Sequence, residues 1–228
     1  MSDTGRQTNA TRLGFYAATA TIILAATFFT VGILTPVRSV SYPYVNGLAQ
    51  YVPGDYYWMI PGFLLAPVFV VLMSSIHSYA PEKKRVFSQL GLSFGIVYAA
   101  INCTDYFIQF AVVEPSILKG ETASLTLFTE YNPHGVFIAA ESLGYLVMTV
   151  AFLFVAGVFS QGRIEKVLRW LLVSGFLAAV GSFLSLSLLG YDIVTFEVAV
   201  ITIDSVVLIA SGALLSLLFR RVGASAGT

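Results

Sequence analysis

Residues 89–113 read QLGLSFGIVYAAINCTDYFIQFAVV, and Asp105 is the single charge in the stretch. As an α-helix it would be about 37 Å long at 1.5 Å per residue. That is enough to cross a bilayer hydrocarbon core of roughly 30 Å. A soluble helix of this length would carry charged residues along its water-facing side. The reading is therefore a transmembrane helix with one costly carboxylate inside it.

Tyr98, Asn102, Asp105 and Gln109 follow one another at steps of four, three and four, which places all four on one helix face. The opposite side carries Ile, Phe, Ala and Val. A polar stripe exposed to lipid leaves its groups unsatisfied, so this face is expected to line the interior of a bundle. Working outward, five more stretches are long and apolar enough to span: Gly14–Leu34, Trp58–Ile76, Val136–Phe159, Leu171–Gly190 and Val198–Phe219. Of the 228 residues, 57% are apolar and 11% charged, against roughly a quarter charged in soluble domains. The expectation is an all-α integral membrane protein, a six-transmembrane-helix bundle, with residues 1–228 forming a single polytopic domain.

Lys and Arg placement predicts the orientation. Arg6, Arg12, Lys83, Lys84, Arg85, Arg163, Lys166, Arg169, Arg220 and Arg221 fall on one side, and only Arg38 and Lys119 on the other. By the positive-inside rule both termini are cytoplasmic, in an inner or plasma membrane. The opposite loops are acidic, with Asp55, Glu114, Glu121, Glu130, Asp192 and Glu197. Formal net charge is zero, so no nucleic-acid footprint is present. The first stretch is longer than a signal-peptide core and reads as an uncleaved anchor. Cys103 is the one cysteine, which rules out an intramolecular disulfide.

The outer loops carry their own signals. Residues 35–57 hold Tyr42, Tyr44, Tyr51, Tyr56 and Tyr57, read first as an interfacial aromatic belt and second as a lid, with a short helix between Tyr44 and Tyr51. In residues 114–135 a turn is expected at Pro115-Ser116, a short helix near 124–130, and a further turn at Asn132-Pro133-His134-Gly135. Within the spans, Pro67 is expected to break one hydrogen bond of its helix. Gly91 with Gly95, and the stripe Ser174, Ala178, Gly181 and Ser185, are expected at close helix contacts.

Glu141 and Asp204 join Asp105 as carboxylates within otherwise uncharged spans. Each costs roughly 2.5–3.5 kcal/mol near a bilayer centre. Glu141 and Tyr145 share a face with Thr149; Glu197, Asp204 and Ser211 repeat every seven residues on another. Counted from the predicted helix ends, the three acids lie at about 8–12 Å depth, and convergence on one outward-opening acidic pocket is expected. The candidate binding residues are Asp105, Glu141, Asp204, Asn102, Gln109, Tyr98, Tyr145 and His134. No cofactor is expected. His134 with Glu141 offers a weak ligand pair whose spacing matches no metal motif. The sequence has no Walker loop, nucleophile elbow, HExxH or paired cysteines.

Three readings follow, in descending weight. The first is binding or translocation of a small cationic or polar solute, or of a proton or cation. The second is a non-catalytic membrane partner or assembly subunit, with a homo-oligomer or another membrane protein as its partner. The third is an intramembrane acid/base enzyme on a lipid-like substrate, which needs only positioned carboxylates and a His. In layout the chain resembles prokaryotic multi-pass proteins, and six helices with a polar outer pocket are similar to small vitamin-binding transporter subunits.

Overall fold

The computed structural model describes residues 3–36, 38–189 and 193–225. Gly190, expected to end the fifth span, and Asp192, counted among the acidic loop residues, lie outside the described residues. The chain is all-helical: α1 (Asp3–Leu34), α2 (Met59–Tyr79), α3 (Arg85–Ile108), α4 (Glu114–Lys119), α5 (Val136–Ala156), α6 (Gly162–Leu189) and α7 (Ile193–Ser225). A π-turn, Gln109–Val113, joins α3 to α4. Among the described residues six helices are long and apolar enough to cross a membrane, α3 and α4 counting as one run.

The helices form a ring in which α1 packs on α2, α2 on α3, α3 on α5, and α7 back on α1. α5 and α7 also touch, closing a five-helix ring and leaving α6 packed outside against both. Lys83, Lys84, Arg163, Lys166 and Arg220 cluster at one end, hereafter the basic end; the two long loops cover the other, the loop end.

Several boundaries differ from the hydropathy reading, for one physical reason. Hydropathy marks what suits hydrocarbon, whereas a helix continues until something breaks it. α1 starts at Asp3 and not at Gly14, and α7 starts at Ile193, five residues before Val198. Pro115-Ser116 lies inside α4 and is no turn. Pro115 has no N–H for the carbonyl of Ala111, so the ladder widens into the π-turn just before it and helix resumes. Residues 124–130 form turns where a short helix was expected. Between Tyr44 and Tyr51 there is a single 3-10 turn, Leu48–Gln50.

Close contacts follow small residues, though not all of those expected. A Cβ on Gly91 would lie 2.3 Å from Val155 Cγ2, and one on Gly144 would lie 1.7 Å from Asn102 Oδ1, so α3 and α5 touch at both. The stripe Ser174, Ala178, Gly181 and Ser185 instead faces outward. Its neighbour face, Gly175 with buried Ala179, meets the bundle, and Gly175 sits against Val207. One residue of offset is 100° on a helix, enough to turn a stripe from neighbour to lipid.

α2 runs continuously through Pro67. The carbonyl that Pro67 leaves without its helical donor is that of Phe63, and the Cys103 thiol of α3 donates to it at 3.9 Å. At the basic end, Lys84 Nζ donates to Val158 O at 2.7 Å and to Ser160 Oγ at 2.5 Å. Glu165 Oε2 accepts from the backbone N–H groups of Ser160 (2.8 Å) and Gln161 (2.6 Å), while Tyr79 donates to its Oε1.

Candidate functional site

At the loop end, residues 38–56 fold into a cap. Arg38 grips Asp55 with two bonds, Nε to Oδ2 at 3.0 Å and Nη2 to Oδ1 at 3.2 Å, and lies 4.2 Å over the Tyr51 ring. Tyr131 donates to the same Asp55 Oδ2 at 3.0 Å, tying the second loop to the first. A small apolar cluster of Val45, Leu48, Val113, Ile117 and Leu125 sits beneath. The tyrosines divide between the two readings: Tyr56 is buried and Tyr44 faces the cavity below, while Tyr42 and Tyr57 are exposed.

Under this cap lies a cavity of about 590 Å³, bounded by α1, the cap, the start of α5 and the start of α7. Its carboxyl groups are Asp55, Glu130, Glu141 and Glu197, and Arg38 is the cation beside them. Glu141 comes from the second turn of α5 and Glu197 from the second turn of α7. Their carboxyls lie within hydrogen-bonding reach of one another. A bond between two carboxyls requires a proton on at least one of them. Glu197 is 7% exposed, and its Oε1 is enclosed with no partner among the described residues.

Glu130 is partly exposed as a residue, yet its Oε1 is enclosed and unpartnered. Burial pushes its carboxyl well above the usual carboxylate range, and the charges of Asp55 and Glu141 push the same way; hydrogen bonds with Trp58 and Tyr131 oppose them. Arg38 does not relieve Glu130, because its guanidinium is engaged by Asp55. The cavity is thus richer in carboxyl groups than in cations.

From the Glu pair a chain of hydroxyls runs toward the basic end. Tyr106 donates to Glu141 Oε1, and the Tyr106 and Tyr145 hydroxyl oxygens are 3.1 Å apart. A phenol has one hydrogen, so Tyr145 is the donor to Tyr106. The Tyr145 ring then meets Tyr98 at 5.9 Å between centroids.

The expected site residues separate into three groups. Glu141 lines the cavity, and Asp105 lies behind it, buried, near enough to interact with its charge. Tyr98, Asn102, Tyr145 and Asp204 are buried in the ring below the cavity, with Asp204 near enough to Tyr98 and Tyr145 to interact electrostatically. Both oxygens of Asp204, both polar atoms of the Asn102 side chain and the Tyr98 hydroxyl are unpartnered among the described residues. Gln109 is spent on structure, donating to Phe128 O at 2.7 Å. His134 is exposed and outside the cavity; its backbone N–H bonds Asn132 Oδ1 at 2.9 Å in the turn that leads into α5. His134 and Glu141 are not brought together, and among the described residues no three His, Cys, Asp or Glu side chains are grouped to hold a metal.

Depth explains the separation. With α7 starting at Ile193, Asp204 lies about 17 Å along the helix from its loop end. Glu141 lies about 8 Å along α5. The α7 residue level with Glu141 is therefore Glu197, two turns above Asp204. By hydropathy Glu197 belongs to a loop, whereas its seven-residue spacing to Asp204 and Ser211 puts it on their inward face. Glu130, Asp55 and Arg38 left no such signal, since only loop folding brings them to the cavity.

The fold and cavity together define the class as a bundle of six membrane-length helices with an acidic cavity under a loop cap. Compared with protein families, with curated proteins and with solved structures, the chain has no match in any of the three.

Proposed function

We propose that this protein sits in the cell membrane with both termini in the cytoplasm, and that its cavity, facing outward, binds a small cationic or protonated solute as a step in uptake or sensing. The basic end supports the orientation, since Lys and Arg favour the cytoplasmic side. The observation that carries the function is the Glu141–Glu197 pair. Two carboxyls lie within bonding reach at the floor of a cavity where Arg38, the cation among the described lining residues, is engaged by Asp55, and Glu197 Oε1 is enclosed with no partner among the described residues. A bound cation replaces the proton that bonds them and satisfies the oxygen, so binding is coupled to proton release.

The test uses purified protein with Trp170→Phe, leaving Trp58, which lines the cavity, as the only tryptophan. Ethylamine is titrated while Trp58 emission and proton release are followed. Binding should release protons, strengthen as pH rises, and weaken at least tenfold in Glu197→Gln. Binding indifferent to Glu197→Gln and to pH would reject the proposal.

A shared proton between two carboxyls is also what a general acid–base pair needs, and this observation favours the enzyme reading as second. It predicts chemical turnover of a lipid-like substrate lost in both Glu141→Gln and Glu197→Gln.

A further inference from the structure

Resting on that pocket reading, we infer that its ligand is an amphiphilic amine, a protonated nitrogen carrying an apolar body, which reaches the cavity sideways from the outer leaflet between α1 and α7. Three features of the cavity point there.

First, its polarity is divided. The carboxyl groups gather at the cap and at the Glu141–Glu197 floor, whereas the side between α1 and α7 is built from Phe29, Ile33, Val198 and Ile201. A fully hydrated small cation gains nothing from that wall, while an apolar body does. Second, α1 and α7 are used differently along their length. In their basic halves they are in tight contact: a Cβ on Gly212 would lie 2.7 Å from Ile22 Cγ1 and 3.1 Å from the Ala18 carbonyl oxygen, and one on Gly14 would meet the Phe219 ring at 2.7 Å. In their loop halves both contribute to the cavity wall. Third, the residues at the edges of this wall face outward, Ile33 being 67% and Val198 60% exposed. In a bilayer that surface meets acyl chains. A Cβ on Gly32, also at this edge, would find nothing within 4 Å, so space is open there.

Charge selects the head. Glu197 Oε1 and Glu130 Oε1 are enclosed and unpartnered, and an ammonium with its three N–H donors can bond both kinds of acceptor. A phosphate-bearing or carboxylate head would add negative charge to a cavity already richer in carboxyl groups than in cations. Trp58 and Phe28 in the cavity wall add aromatic surface for the cation.

The experiment places the Trp170→Phe protein in phosphatidylcholine nanodiscs and measures quenching of Trp58 by 12-bromododecylamine, displaced by unlabelled competitors. Dodecylamine should displace it at least tenfold better than dodecanol, which lacks the charge, and than ethylamine, which lacks the chain. Gly32→Phe and Val198→Phe, both at exposed edges of the cavity wall, should each weaken the long amine at least tenfold and weaken it more than they weaken ethylamine. If dodecanol competes as well as dodecylamine, this wall is a lipid-chain groove without charge recognition and the inference fails. If ethylamine matches dodecylamine and both edge variants are silent, the ligand arrives from water: the inference fails while the pocket reading stands. If no amine changes Trp58 emission, both fail together.

Discussion

Glu130 shows how a single loop residue acquires a function through enclosure. An acid held above its ordinary value of 4.5 binds more protons in the folded chain than in the unfolded one across the window between the two values. Stability contributed by the neutral form is present below 4.5 and is lost as pH rises through the raised value. Glu130→Gln removes this dependence. Thermal unfolding followed from pH 5 to pH 8 should therefore fall less steeply with pH in Glu130→Gln than in the wild type. Equal slopes would place the titration elsewhere. From the sequence alone Glu130 was one acidic loop residue among six, because nothing local distinguishes a solvated carboxylate from an enclosed one.

Between elements, the α3–α5 seam positions the site. It sets Asn102 against Gly144 and brings Tyr106 to Glu141. The Cβ of an alanine at 144 would lie 1.7 Å from Asn102 Oδ1, which is not survivable without the helices moving apart or Asn102 changing rotamer. Overpacking of this kind costs about 1–3 kcal/mol. Gly144→Ala should lower the unfolding temperature in detergent clearly, whereas Gly181→Ala, with nothing within 4 Å of its new Cβ, should leave it unchanged or slightly raised. The sequence marked Gly91 with Gly95 as a contact but passed over Gly144, whose small partner four positions away is Ala140 and not a second glycine. Likewise it chose the outward stripe of α6 over Gly175 and Ala179, because several small residues share that helix and only the neighbour decides which face is used.

At the scale of the molecule, the ends differ in chemistry. One is basic and tied by Lys84 and Glu165; the other is capped by loops joined through Arg38, Asp55 and Tyr131. The proposed orientation predicts distinct labelling. In a Cys103→Ala background, Glu121→Cys should react with a membrane-impermeant maleimide on intact cells, and Gln161→Cys only after lysis. The reverse pattern would turn the cavity toward the cytoplasm and overturn an outward-facing site.

Composition and hydrophobic runs by themselves determined the helical class, the number of membrane-length helices and the inward polar face of α3. These follow from backbone hydrogen bonding and from the length needed to cross hydrocarbon, and both are local properties. They also marked Glu141 as a residue to follow. The tertiary structure alone decided its partner. Because α7 begins five residues earlier than hydropathy suggests, Glu197 stands level with Glu141, and Asp204 lies two turns deeper beside Tyr98 and Tyr145. Helix register and loop closure are set by packing between segments distant in sequence, and such contacts leave no periodic mark within either segment.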